Sequence, residues 1–144
     1  MVEQDTIRLL RECDAGVKMG IASISDVLDY VHAKDFKEML TTCKADHEKL
    51  DIEISNLLHS YQDDGKEPAK MAKAMSYAKT NMKLAMNDSD ATIADLMTDG
   101  CNMGVKSLNK YLNKYKAADE KSKDITKQLI DLEQQLTFDV RQYL

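Results

Sequence analysis

Apolar residues recur along the chain in steps of three and four, the spacing that places them on one face of an α-helix. The pattern predicts two long helices in the first half of the chain and two in the second. The first pair has the apolar seams Leu10, Val17, Ile21, Ile24, Leu28 and Val31, then Phe36, Leu40, Cys43, Leu50, Ile54, Leu57 and Tyr61. The second pair has the seams Met97, Cys101, Val105, Leu108, Leu112 and Tyr115, then Ile125, Leu129, Leu132, Leu136, Val140 and Tyr143. No run alternates as a β-strand does, so the sequence predicts an all-α protein.

Short polar links separate the two helices of each pair. Residues 32–35 read HAKD, and residues 116–124 read KAADEKSKD. Because a short link makes consecutive helices antiparallel neighbours, each pair is predicted to form a helical hairpin. After the first pair, residues 62–68 read QDDGKEP, in which Gly65 favours a helix end and Pro68 favours a new first turn.

The two predicted hairpins resemble each other in sequence. Residues 16–20 read GVKMG and residues 100–104 read GCNMG, so the first helices of the hairpins align at an offset of 84 positions. The second helices align at an offset of 82, which matches Asp51 with Glu133. The chain is therefore predicted to be a duplicated helical hairpin.

A shorter helix is predicted at about residues 69–87, between the hairpins. One face of it is apolar and is expected to pack on the bundle; this face carries Met71, Met75, Ala78, Met82 and Met86. About 28 mostly helical residues cover roughly 40 Å, the length of a bundle helix. The sequence thus predicts one domain over residues 1–144, a ferritin-like four-helix bundle with a lengthwise helical crossover. An alternative in which residues 69–87 enter the core as a fifth helix stays open.

Four of the five glycines lie inside helical patterns, where each costs about 0.5–1 kcal/mol relative to alanine. Such a cost indicates a packing role. We expect the first helices of the two hairpins to pack antiparallel, with Gly16 facing Gly104 and Gly20 facing Gly100, so that the two backbones approach closely. The same register would place Lys106 opposite Asp14 as an ion pair.

Composition and charge exclude several classes of protein. The net charge is −5 and the pI is about 5.2, and the lysines at 106, 110 and 114 fit a solvated helix face balanced by acids elsewhere, so no nucleic-acid partner is expected. No apolar run approaches the length of a membrane span, so no membrane association is expected. The cysteines at 13, 43 and 101 are widely spaced and odd in number, as in reduced cytoplasmic proteins.

Three stretches of the chain resemble an uncharacterised family of bacterial ferritin-like bundles of the anaerobic Gram-positive type. They are DAGVKMGIASI, NMKLAMNDSDATIADLMTDGCNMGVKSLNKY and the terminal helix. A more distant resemblance runs from residue 90 onward to helical spore-coat proteins. The first resemblance implies a four-helix bundle and leaves the activity open.

Ferritin-like oxidases bind two irons through glutamates and a Glu-x-x-His motif, and this motif is missing here. Lys44 stands three residues before His47, the one histidine on an apolar seam, and Asp14 is the one acid on the first seam. The hairpin register places His47 opposite Gly20, roughly 9 Å along the bundle from Asp14. The sequence therefore predicts no di-iron centre. A single Fe or Zn site near Asp14 and His47 stays an alternative.

These observations predict a ferritin-like bundle that acts through protein contacts or self-association, with no catalytic or cofactor-binding residue nominated. The sequence leaves open whether the protein is an enzyme. It favours a non-enzymatic role, because Cys43 and Cys101 lie on apolar seams where thiols stay protonated. One alternative is a protein that binds Fe or Zn at an unconventional site, and another is a structural protein of the spore or cell surface. The expected partner is a second copy of the chain or an unknown protein, and Tyr30, Tyr77 and Tyr111 would offer apolar surface.

Overall fold

The computed structural model describes residues 3–144, with the side chains of Lys70, Met71, Ala72, Ala74 and Met75 left out of the description. The described range contains five α-helices, a short C-terminal 3-10 helix at Val140–Tyr143 and no β-strand. The α-helices are α1 (Gln4–Leu28), α2 (Lys34–Ser60), α3 (Lys70–Met86), α4 (Asp90–Lys114) and α5 (Glu120–Asp139). The predicted all-α class is confirmed.

Polar residues begin the helices of the second hairpin. The side chain of Ser89 accepts a hydrogen bond from the backbone N–H of Thr92 at the start of α4. The side chain of Asp119 does the same for the N–H of Ser122 at the start of α5. Both arrangements satisfy a backbone donor that the first helical turn leaves free.

The four long helices pack as two connected pairs. α1 packs against α2 and α4 packs against α5, while α1 also contacts α4 and α5, and α2 contacts α5. The segment after α2 lies beside the N-terminal half of α1, where Arg11 pairs with Asp63. At the other end of that segment, the carboxylate of Asp90 accepts hydrogen bonds from the backbone N–H groups of His32 and Ala33, just after α1.

Helix α3 packs on α1 and α4 and is tied to α4 by the ion pairs Lys79–Asp99 and Lys83–Asp95. Its apolar face was predicted incorrectly. Met82 and Met86 are exposed, and the described residues of α3 that are buried are Thr80 and Leu84. Met71 and Met75 of the predicted face lie outside the described side chains.

The apolar core is divided into two clusters. The first lies at the end of the bundle that holds the α1–α2 turn and includes Ile24, Val27, Phe36, Leu40, Leu84, Ile93, Ala94, Leu96, Met97, Cys101, Leu136 and Val140. The second lies toward the opposite end and includes Leu10, Cys13, Val17, Leu50, Ile54, Leu58, Leu108, Ile125, Leu129 and Ile130. Along each of the four long helices, the residues between these two sets fall at one level of the bundle.

Across residues 3–144, no helix combines the length and the hydropathy that a bilayer crossing requires.

Candidate functional site: a buried polar centre

Two ionisable side chains occupy the level between the apolar clusters. His47 on α2 is 1% exposed and Glu133 on α5 is 7% exposed. Their neighbours along each helix belong to the first cluster on one side and to the second on the other. We refer to His47 and Glu133 together as the polar centre.

Two helix-interior glycines make room for the polar centre. A Cβ atom at Gly20 of α1 would lie 2.9 Å from Cδ2 and 3.0 Å from Nε2 of His47, and 3.8 Å from Oε1 of Glu133. A Cβ atom at Gly104 of α4 would overlap the carboxyl group of Glu133. A methyl group at either position would therefore displace a polar side chain, and the imidazole and the carboxyl group both approach Gly20.

The predicted pairing of the glycines differs from what the structure shows. Gly20 and Gly104 meet side chains of α2 and α5 instead of the backbone of the facing helix. Gly16 lies against Leu108 and Leu129, and a Cβ at Gly100 would meet nothing within 4 Å. Because Gly16 lies against residue 108 and not 104, α4 is about one helical turn away from the predicted register.

The imidazole of His47 is held in one tautomer. Its Nδ1 lies 2.8 Å from the carbonyl oxygen of Cys43. A carbonyl oxygen can only accept, so Nδ1 carries the hydrogen and donates it, and Nε2 of the neutral ring is left as an acceptor. Burial lowers the pKa of His47 below its ordinary value of 6.5, which favours this neutral ring.

The carboxyl group of Glu133 is buried, and its Oε2 lies unpaired in the interior. Oε2 has no hydrogen-bond partner in the described part of the structure. Burial raises the pKa of Glu133 from 4.5 to about 8. A carboxyl group with this pKa carries its proton at neutral pH, because no positive charge among the described residues offsets the cost of burying a carboxylate.

Two thiols flank the polar centre. Sγ of the half-buried Cys43 lies 3.6 Å from Nδ1 of His47. Burial raises the pKa of Cys43 to about 12, with smaller contributions from the nearby acids Asp46, Glu133 and Asp139. Burial, followed by the charge of Glu133, raises the pKa of Cys101 to about 12 as well. Thiols with such pKa values stay protonated at neutral pH and are poor nucleophiles.

Asp14 lies away from the polar centre and is fully engaged. It is 2% exposed, forms an ion pair with Lys18 one turn further along α1, and accepts a hydrogen bond of 2.9 Å from the backbone N–H of Lys66. Lys18 also binds Asp51 at 3.3 Å. Partial burial alone would lower the pKa of Lys18, but Asp14 and Asp51 outweigh it and raise that pKa.

The predicted ion pair between Asp14 and Lys106 is therefore replaced by one with Lys18. The reason is again the register of α4, which places residue 108 and not 104 against Gly16. Asp14 and His47, the sequence candidates for a metal site, bind different partners and do not share a site. Over the described residues, no three His, Cys, Asp or Glu side chains are grouped closely enough to hold a metal ion.

Sequence reasoning missed Glu133. The leucine seam of α5 drew attention to Leu129, Leu132 and Leu136 and left Glu133 as one acid among many. The internal repeat gave no usable signal either, because Asp51, the acid that it matches with Glu133, is partly exposed and binds Lys18.

No protein-family model matches this chain, and neither a characterised protein nor a solved structure matches it.

Proposed function

We propose that the protein is a ferritin-like helical bundle that acts through protein–protein contacts, with a second copy of the chain as the partner. The ferritin-like topology is supported by the two antiparallel pairs and by the contacts of the segment that joins them. That segment begins beside Asp14, through the N–H of Lys66, and ends beside the α1–α2 turn, through Asp90. A link between these two levels crosses the bundle lengthwise.

The observation that carries the contact function is the placement of exposed apolar side chains. Among the described side chains, eight large apolar residues are exposed, and five of them lie at or near the end of the bundle that holds the α1–α2 turn. We call this surface the apolar end, and it comprises Tyr30, Met82, Met86, Phe138 and Leu144. Met86 is the most exposed of them, at 83%.

Contacts between the chain segments bring Tyr30, Met86 and Leu144 to one end, and Met82 and Phe138 lie in the last turns of α3 and α5. The ring of His32, two residues after Tyr30, is hydrogen-bonded to the carbonyl oxygen of Asp88, two residues after Met86. The ring of Tyr143, next to Leu144, stacks on Phe36 at the start of α2, with 4.1 Å between the ring centres. Single exposed apolar residues are ordinary, but a group of them at one place marks an interaction surface.

A symmetric dimer suits such a surface. In a twofold dimer the same patch of both copies meets itself, so one apolar patch is enough to form the interface. Methionine adapts its shape to a facing surface because its side chain is unbranched and flexible, and two of the five residues are methionines. The apolar end therefore fits a second copy without requiring a second, complementary site.

Sedimentation equilibrium from low to high micromolar concentration tests this proposal. The wild type is expected to dimerise, and the double variant Met86→Gln/Leu144→Gln is expected to shift the dimer dissociation constant upward by about tenfold or more. Ile52→Gln is the matched control, because Ile52 is 63% exposed but lies on α2 well away from the apolar end. A wild type that stays monomeric throughout, or an equal effect of the control, would contradict the proposal.

A further inference from the structure

The polar centre interrupts an apolar core at a position where the chain makes room for it. Two glycines in the interior of α1 and α4 leave the space that His47 and Glu133 occupy. Glycine is a poor helix former, and a buried carboxyl group without a partner weakens a core. Packing alone does not account for two glycines and an unpaired acid at one level, which points to a role for the acid itself.

The hydrogen-bonding capacity of the polar centre depends on one proton. Nε2 of His47 is an acceptor, because Nδ1 carries the hydrogen that is donated to Cys43. Both oxygens of an ionised Glu133 are acceptors as well. A protonated carboxyl group has one donor and can face an acceptor favourably, whereas a carboxylate and a neutral imidazole approaching the same glycine repel each other through their lone pairs.

The surroundings of Glu133 favour the protonated form. His47 of α2 shares the space beside Gly20 with it, and Cys43 of α2 and Cys101 of α4 are close enough for its charge to raise their pKa. From α1 it is approached by Gly20, and the nearest charge along α1 is Lys18, which is held by Asp14 and Asp51. Within the described residues, burial is the one cause that shifts the pKa of Glu133, and no cation lowers that pKa.

We propose that the polar centre is a proton-binding site that controls closure of the bundle, with α5 packed against Gly20 and Gly104 when Glu133 holds its proton and released from them when the proton is lost. This is a role beyond the contact function, and it does not depend on dimerisation. A carboxylate needs water or a cation, and α5 must move away from the glycines to provide water. A groove of about 240 Å³ lies between α2 and α5 beside Cys43, so water already reaches the boundary of the polar centre on this side.

The pH range of opening follows from linkage. When closed, Glu133 binds its proton up to about pH 8, whereas in an open, hydrated state it ionises near 4.5, so opening becomes easier as pH rises between these values. His47 acts in the opposite direction below pH 6.5, because its pKa is lowered in the closed state. The two effects oppose each other below pH 6.5, and the effect of Glu133 stands alone between pH 6.5 and 8.

Hydrogen–deuterium exchange of the full chain tests the proposal between pH 6.5 and 8, with rates corrected for the intrinsic pH dependence of exchange. In the wild type, amides around residues 129–137 and 100–108 are expected to lose protection by up to about tenfold per pH unit. Amides around residues 50–58 are expected to change little. Glu133→Gln, which cannot ionise, is expected to give a flat profile, and the exposed Glu48→Gln is expected to behave as the wild type.

Two results would overturn the proposal. One is a flat wild-type profile around residues 129–137, a result that needs no variant and so stands even if Glu133→Gln fails to fold. The other is an equal loss of protection in all helices, which would show that Glu133 affects global stability and does not control a local opening. Measurement at a protein concentration where the chain is monomeric separates this outcome from the dimerisation experiment.

Discussion

Two carboxylic acids are buried in this bundle, and their surroundings differ completely. Asp14 receives an ion pair from Lys18 and a hydrogen bond from the backbone of Lys66. Glu133 is nearly as deeply buried, but its Oε2 has no partner in the described structure, and glycines of two helices lie against it. Asp14 is stabilised as a carboxylate by one cation and one backbone donor, whereas Glu133 is kept neutral by its own proton.

The difference shows that burial alone does not decide what an acidic residue does in a core. Burying a carboxylate costs free energy, which a cation and hydrogen bonds can offset. Where they are missing, the carboxyl group keeps a proton and becomes sensitive to pH. Asp14 therefore fixes the link after α2 to α1, whereas Glu133 can respond to a change in its environment.

The largest effect is expected from removing the paired acid. Asp14→Ala leaves the N–H of Lys66 without its acceptor and Lys18 with only Asp51, so we expect a loss of about 2–3 kcal/mol in the free energy of unfolding. The estimate is below that for a fully buried pair because Lys18 is partly exposed and can reach water. Urea denaturation measures the change. A loss under about 0.5 kcal/mol would show that Asp14 is not anchored as described.

The second-largest loss of stability is expected from substituting Gly65, the glycine that faces Asp14. Gly65 has φ +83°, and a Cβ at this position would overlap the carboxylate of Asp14. Gly65→Ala is therefore expected to lose about 2 kcal/mol of stability, from left-handed backbone strain together with the steric conflict. In an Asp14→Ala background the same substitution should cost less, because the steric part is gone. Equal costs in both backgrounds would argue against the contact.

Alanine substitutions of two glycines of α4, Gly100 and Gly104, are expected to differ by a smaller amount in their effect on stability. Gly100→Ala is expected to stabilise the protein by about 0.5–1 kcal/mol, because it improves helix propensity and a Cβ there meets nothing within 4 Å. Gly104→Ala should lose that gain, because the methyl group displaces Glu133. Thermal unfolding at a fixed pH compares the two variants. Identical shifts would mean that Gly104 does not form part of the polar centre.

The sequence was sufficient to predict the four long helices and their pairing, because a repeating apolar seam indicates which face of a helix is buried. It was not sufficient for the register between α1 and α4. The shared Gly-x-x-Met-Gly spacing suggested a contact between backbones, but glycine also makes room for side chains of a third helix, as Gly20 does for His47 and Gly104 for Glu133. A pattern along one helix cannot distinguish these two uses of glycine.

For the same reason, only one of the two residues of the polar centre, His47, could be identified from the sequence. His47 interrupts an apolar seam, and its position opposite Gly20 followed from the hairpin register, which the structure confirms. Glu133 sits beside the leucines of α5, and its burial depends on the space that Gly104 leaves on another helix. Residues 104 and 133 lie on different helices, so the contact between them becomes evident only once the packing of those helices is known.

The protonation of Glu133 at neutral pH is the central claim, and a carbon-13 NMR titration of its side-chain carboxyl group tests it most directly. The signal is assigned by its disappearance in Glu133→Gln. The carboxyl group is expected to titrate with a midpoint near pH 8 and to be protonated at pH 7. A midpoint near 4.5, the ordinary value for a glutamate, would contradict the claim and the proposed control of bundle closure with it.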